Sequence, residues 1–248
     1  MTERAAGTRF TVRISAKALQ EASAAGANLP RLVNQSLDHI NTLLPGPPET
    51  VDVSYGTGNE LILQTGTAGV TSAATGTIHV AFGPTPQAST GKALQHLPRA
   101  LAHETDHIVR ASATGGGYIL TLLDQIISEG ISSVFDEAAL PGPPNPWDQA
   151  ISKTQECVLW NKAQPLLGES DLYDQWFFGG GDVPHGTGFT IGYHIVSDYH
   201  RRHPQASWPA LTAAPVIAHI MHERNRRQAE CSLGRRGSVR LAGWLHHG

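Results

Sequence analysis

Two histidines and a glutamate near the middle of the chain have the spacing of a metal-binding helix. His103, Glu104 and His107 fall in the pattern His-Glu-x-x-His. Residues i and i+4 lie on one face of a helix, so His103 and His107 can offer two imidazoles to one metal ion. Glu104 lies beside the same site without being a ligand, where its carboxylate can act on a metal-bound water. The alternative is a pair of surface histidines with a solvated glutamate.

A hydrolytic zinc site usually has three protein ligands and keeps a fourth position for water. Four carboxylates follow within range, and spacing alone does not choose among them: Asp124, Glu129, Asp136 and Glu137. We favour Glu129, because the small residues Gly130 and Ser132 would let its helix approach the histidine helix closely. Asp124 stands on a different face. Asp136 lies two turns further along the face of Glu129, where it could hold a ligand histidine by its second nitrogen or be a surface carboxylate.

A later helix carries donors for the negative charge that develops on a substrate carbonyl during hydrolysis. We expect Tyr193 to be this catalytic donor, with His194 as the alternative. A core tyrosine whose hydroxyl finds another partner is the competing interpretation.

A strand beside the metal helix could hold an extended peptide by backbone pairing. Residues 77–82 are the candidate edge strand, and His79 within them could face the site or be structural. The glycine-rich loop at residues 178–182 could border the cleft, although an ordinary flexible turn explains it equally.

The elements that must position these residues are strands first and helices afterwards, which indicates an α+β fold. Short strands are predicted at residues 8–14, 51–55, 61–64 and 77–82. Residues 66–76 are small and polar, which predicts a loop or a poorly paired strand. Helices are predicted at residues 15–44 with a break at Pro30, from about 97 to 111, and at 118–139, 147–167, 189–199 and 215–224.

Composition excludes several classes of function. The chain has 248 residues and a formal charge of −3, which does not suit a strongly basic nucleic-acid binder. The two cysteines, Cys157 and Cys231, are too few to form a zinc cluster by themselves or a disulfide framework. No signal-peptide core or membrane-length apolar run is present. We therefore expect a soluble, cytoplasmic protein without a membrane or nucleic-acid partner.

Three segments resemble a known family: residues 101–110, which contain His-Glu-Thr-Asp-His, residues 122–131 with Ser-Glu-Gly, and residues 188–196 with Gly-Tyr. Together they are similar to a bacterial domain of unknown function grouped as predicted zinc-dependent proteases, which are gluzincin-like. The resemblance covers roughly residues 60–215. It implies His103, His107 and Glu129 as zinc ligands and Glu104 as the catalytic carboxylate. Ser132 departs from the pattern, since gluzincin helices commonly carry Ala there.

The sequence thus predicts an α+β, zincin-like zinc metallopeptidase: a small N-terminal sheet, an active-site helix and a mainly helical C-terminal part. Its partner would be a peptide or protein substrate, and its oligomeric state stays open. We place a strand/helix unit at residues 1–48, the metallohydrolase domain at 49–223 and an arginine-rich tail at 224–248. The first unit could belong to the same domain, and fraying or disorder is the default expectation for the tail. The alternatives are a non-catalytic zinc-stabilised domain and an interaction protein.

Overall fold

A computed structural model describes residues 2–3, 10–46, 48–115, 121–142 and 145–213. Its strands are β1 (Thr2–Glu3), β2 (Thr11–Ile14), β3 (Thr50–Tyr55), β4 (Thr67–Ser72) and β5 (Thr77–Phe82). Its helices are α1 (Ala16–Ala24), α2 (Leu29–Leu43), α3 (Thr90–Ala113), α4 (Leu122–Ala139), α5 (Lys153–Ala163), α6 (Thr187–Arg202) and α7 (Trp208–Ala213). The α+β class is as predicted: α1 and α2 lie between β2 and β3, and the remaining helices follow the last strand.

The sheet has the strand order β1-β2-β3-β5-β4. Strands β2, β3 and β5 run parallel, whereas β4 pairs antiparallel with β5 over its whole length. Of the two alternatives predicted for residues 66–76, a loop or a poorly paired strand, the structure has a strand over residues 67–72, and it is fully rather than poorly paired. Strand β5 lies inside the sheet, so the predicted edge at residues 77–82 is wrong, and β4 is the edge among the described strands.

Helix boundaries follow their caps more closely than the predicted breaks. Asn28 caps α2 and Pro30 lies in its first turn, where proline has no amide hydrogen to lose. Ser89 caps α3 seven residues earlier than predicted, and Pro98 lies inside the helix. The predicted strand at residues 61–64 consists of turns, and the predicted helix at 215–224 lies outside the described residues.

Two apolar cores flank the helix pair α3 and α4. The first lies between the sheet and α1, α2 and α3, and the second joins α4, α5, α6 and the segment around Trp176 and Phe177. Helix α4 contributes to both cores, which holds it firmly against α3. Strand β2 and helices α1 and α2 share the first core with the rest of the sheet, although the domain boundaries themselves stay predictions.

Among the described residues, no helix combines the length and apolarity that crossing a bilayer requires. Cys157 on α5 is disulfide-bonded, which the cysteine count did not predict. Disulfides persist mainly in oxidising compartments, so the cytoplasmic location stays a prediction that this bond does not favour. The arginine-rich tail at 224–248 lies outside the described residues.

Candidate metal centre

Three ligand-type side chains from two helices converge at one point. His103 and His107 lie on α3 and Glu129 lies on α4, and their ligand atoms are all within 4.8 Å of one another. Glu129 Oε2 is 3.1 Å from His103 Nε2 and 3.5 Å from His107 Nε2. Tetrahedral zinc with bonds of about 2.0–2.1 Å sets its ligand atoms roughly 3.3 Å apart. The donor set of two imidazoles and one carboxylate therefore fits a zinc ion in both chemistry and spacing.

The electrostatics of this cluster favour a positive charge. Burial alone would raise the pKa of Glu129, but the charges and hydrogen bonds of His107 and His103 lower it well below its usual range. Burial would likewise lower the pKa of His103, yet hydrogen bonds with Asp136 and Glu129 raise it well above its usual value. Since protons and a metal ion compete for these nitrogen atoms, a bound cation takes the place of protons.

A buried carboxylate holds His103 from behind. Asp136 is 1% exposed and its Oδ2 lies 3.4 Å from His103 Nδ1. Arg99 Nε donates to Asp136 Oδ1 at 2.6 Å, and Asn145 Nδ2 donates to Oδ2 at 3.0 Å. Because an ionised carboxylate only accepts, Nδ1 of His103 carries the hydrogen and Nε2 faces the ligand cluster. Of the two interpretations of Asp136, the structure supports the one in which it holds a histidine.

At Nδ1 of His107 the neighbours are hydroxyl groups rather than a carboxylate. Ser132 Oγ donates to Asp106 Oδ2 at 2.8 Å and lies 3.3 Å from His107 Nδ1. Because Ser132 donates its proton to the carboxylate, its oxygen can accept the Nδ1 hydrogen of His107, as can Ser128 Oγ at 3.4 Å. Nε2 of His107 is then left for a metal. Thr212 Oγ1 on α7 donates to the other oxygen of Asp106 at 2.6 Å. Serine in place of alanine at position 132 therefore has a partner that the sequence did not reveal.

Helix α4 turns a different small residue toward each neighbour. Ser128 and Ser132 face α3, whereas a Cβ at Gly130 would lie 2.4 Å from the backbone of Gly192 on α6. The expected role of Gly130 in the approach to α3 is thus wrong, because one residue past Glu129 is about 100° further round the helix. Gly130 instead lets α4 and α6 touch backbone to backbone.

Glu104 lies between α3 and the edge strand β4. Thr71 Oγ1 donates to Glu104 Oε2 at 2.7 Å, and a Cβ at Gly69 would come within 2.4 Å of Oε1. Gly69 thus leaves the space that this carboxylate fills. The charge of Glu104 contributes to raising the pKa of both His103 and His107, so it is close to the cluster.

Not every residue chosen from the sequence reaches the cluster. Tyr193 donates its hydroxyl to Glu137 Oε2 at 2.6 Å, and Glu137 is eight residues, or about 12 Å, beyond Glu129 along α4. His194 Nδ1 pairs with Glu156 Oε2 at 3.0 Å. The hydrogen bonds of the described residues thus engage both donors away from the metal ligands.

The two remaining candidates also find other surroundings. His79 lies on the exposed face of the sheet, where its Nδ1 is 3.1 Å from Asp52 Oδ2. Asp124 completes a capping box with Thr121 at the start of α4, so its carboxylate caps the N-terminus of the helix rather than joining the cluster.

Tyr173 is a site residue that the sequence analysis missed. Its hydroxyl donates to Glu129 Oε1 at 2.9 Å, and its ring stacks on Phe177 with centroids 4.4 Å apart. The available signal was an unusually aromatic segment, residues 173–178, directly before the glycine-rich loop. Periodicity carries no information on a contact that joins residues 44 positions apart.

Comparison with known families agrees with the site. Residues 51–219 match the model of a family described as a predicted Zn-dependent protease (DUF2268). The chain belongs to this family. The matched region contains His103, Glu104, His107, Glu129 and Tyr173, so the family assignment rests on the part of the chain that builds the centre. No curated protein and no solved structure matches this family member.

Proposed function

We propose that this family member is a zinc-dependent metallopeptidase of zincin-like architecture. The observation that carries the proposal is the set of two imidazoles and one carboxylate, His103, His107 and Glu129, with the second carboxylate of Glu104 beside it. A purely structural zinc site is usually closed by four protein ligands, whereas a hydrolytic site has three. The described residues supply three.

Each protein group has a distinct part in the proposed hydrolysis. Zinc, when bound, polarises the carbonyl of the peptide and lowers the pKa of water. Glu104 is the general base: Thr71 donates to Oε2 and Gly69 lies against Oε1, so strand β4 holds the carboxylate that accepts the proton of the water and passes it to the leaving amine. Asp136 and Ser132 keep the hydrogens of His103 and His107 on Nδ1, so both Nε2 lone pairs point toward the ion.

Strand β4 is the surface on which we expect the peptide to lie. It is the last strand of the described sheet, and Gly69 and Thr71 within it contact Glu104. An extended peptide can add to such an edge through backbone hydrogen bonds, which would lay its amide bonds beside the general base.

Replacing Glu104 by Gln tests this function directly. We expect Glu104→Gln to retain one zinc ion, because the ligands are untouched, and to lose peptide cleavage by about 10²–10⁴-fold, the usual contribution of a general base. Zinc is measured by elemental analysis, and cleavage with a peptide library in the presence and absence of a chelator. Glu60→Gln, at an exposed glutamate, is the matched control and should behave as wild type.

Two results would contradict the proposal. A Glu104→Gln protein that cleaves at the wild-type rate would remove the general base from this residue. A wild-type protein that holds zinc and cleaves no peptide would make the centre structural.

A further inference from the structure

The two oxygens of Glu129 have different neighbours. Oε2 faces both imidazoles, at 3.1 Å from His103 Nε2 and 3.5 Å from His107 Nε2. Oε1 accepts the hydroxyl hydrogen of Tyr173 at 2.9 Å. One oxygen is thus aimed at the metal position while the other is held by a donor from a segment outside both ligand helices.

We propose that Tyr173 is a positioning residue that makes Glu129 a one-oxygen ligand. A carboxylate can bind zinc through one oxygen or through both, and the second mode would fill the coordination position that hydrolysis needs for water. The hydrogen bond to Oε1 opposes that second mode. This inference rests on the proposed function, since it concerns how the same centre keeps an open position.

The phenol is built to remain a donor. A carboxylate oxygen only accepts hydrogen bonds, so the hydroxyl of Tyr173 is the donor in its contact with Glu129 Oε1. The ring has little freedom to leave, because it stacks on Phe177, which is fully buried and packs edge-on against Phe189 with centroids 4.9 Å apart.

The backbone of this segment adds to the restraint. Residues Asp174–Phe178 form a π-helical turn directly after Tyr173. Such turns are rare and concentrate at functional sites, where the extra residue re-aims a side chain. Here the turn carries Phe177 beneath the ring whose hydroxyl meets the ligand.

The chain contains a matched control for this role. Tyr193 also donates its hydroxyl to a glutamate, Glu137, at 2.6 Å, yet Glu137 is not one of the ligands. Tyr173→Phe and Tyr193→Phe each remove one phenol-to-carboxylate hydrogen bond and keep the ring. Only Tyr173→Phe should change metal affinity and coordination. A general effect of losing such a hydrogen bond should change these properties in both variants.

The experiment measures zinc affinity by competition with a chromophoric chelator and coordination by the visible spectrum of the cobalt(II)-substituted protein. We expect Tyr173→Phe to weaken zinc binding about 10–100-fold, the usual effect of losing a group that holds a ligand. We expect its cobalt band to weaken as well, because a fifth ligand atom lowers the intensity of a tetrahedral cobalt spectrum. Tyr193→Phe should match wild type in both measurements.

Three outcomes overturn the inference. In the first, Tyr173→Phe and Tyr193→Phe have the same zinc affinity and the same cobalt spectrum. In the second, Tyr173→Phe is unfolded in urea titrations at low denaturant, which would make the residue structural. In the third, the wild type binds neither zinc nor cobalt, which refutes the proposed function as well. If the wild type binds zinc and cleaves peptides, and Tyr173→Phe has wild-type zinc affinity and a wild-type cobalt spectrum, only the role of Tyr173 is refuted.

Discussion

The two histidines of the centre perform the same task with unlike support. Behind His103 stands an ionised carboxylate, Asp136, that is itself held by Arg99 and Asn145 in a buried pocket. At Nδ1 of His107 the partners are the neutral hydroxyls of Ser132 and Ser128, and the carboxylate of Asp106 is linked to this ring through the hydrogen bond from Ser132. The imidazole of His103 is thus oriented by a charged carboxylate, whereas the imidazole of His107 is oriented by neutral hydroxyl groups. We therefore expect the His103 side to govern stability and the His107 side to make a smaller adjustment to metal affinity.

The largest effect should come from removing the charge behind His103. Asp136→Asn deletes the negative charge opposite the buried Arg99, and breaking such a pair costs about 3–5 kcal/mol of unfolding free energy. Urea unfolding of the metal-free protein measures this cost. Asp52→Asn is the control, because its partner Arg13 is exposed and water screens the pair, so the unfolding free energy should change far less than in Asp136→Asn. Equal losses in the two variants would erase the distinction between a buried and an exposed pair.

The next effect concerns a second carboxyl in the same pocket. Asp148 is 2% exposed, and burial followed by the charge of Asp136 raises its pKa to about 7. Its Oδ1 has no hydrogen-bond partner among the described residues. The folded protein therefore holds this proton up to about pH 7, whereas the unfolded chain releases it near pH 4.

The sign of the pH dependence follows from that difference. Between these two pKa values the folded state binds more protons, so its stability falls as the pH rises. From pH 5 to pH 8 the Asp148 carboxyl should remove about 2–3 kcal/mol from the unfolding free energy of the wild type, and this loss should be absent from Asp148→Asn. Urea unfolding of both proteins at the two pH values makes the comparison. A pH dependence that is the same in both would show that Asp148 ionises normally in the fold.

The smallest effect belongs to the His107 side. Ser132→Ala removes one of the two hydroxyl acceptors for the Nδ1 hydrogen of His107 and leaves Ser128, so zinc affinity should fall about 10-fold at most, the low end for a group that holds a ligand. Stability should fall by about 1 kcal/mol, since Thr212 still donates to Asp106. Ser112→Ala is the control, because among the described residues the hydroxyl of Ser112 bonds only a backbone carbonyl of α3. A zinc affinity in Ser132→Ala as poor as in Asp136→Asn would remove the asymmetry between the two rings.

The parts of the centre that were predictable are those that a single helix determines. The i and i+4 spacing of His103 and His107 brings them together whatever the rest of the fold does, and the structure adds Glu129 from α4. The reason given for Glu129 was partly wrong, since Gly130 contacts α6 and only the serines face α3. Which neighbour a small residue meets depends on helix packing, and a helical pattern does not encode it.

The parts that were missed depend on contacts between distant segments. Strand β4 has little apolar character of its own and is a strand because β5 pairs with it, which is the usual dependence of strand formation on context. The relay through Asp106 lies within the His-Glu-x-x-His motif itself, but its partners Ser132 and Thr212 come from α4 and α7. No local pattern distinguishes Tyr173 from Tyr193, because the same residue type donates to a glutamate in both places.

The missing side chain at Gly69 gives the edge strand a notch into which Glu104 reaches. Any larger residue at this position would push the carboxylate aside and leave His103, His107 and Glu129 in place. Strand β4, on which we expect the peptide to lie, thus also sets the position of the Glu104 carboxylate, the proposed general base. A single methyl group at Gly69 should therefore separate metal binding from turnover, and so provide an inactive, metal-loaded form that still contains the three ligands and Glu104.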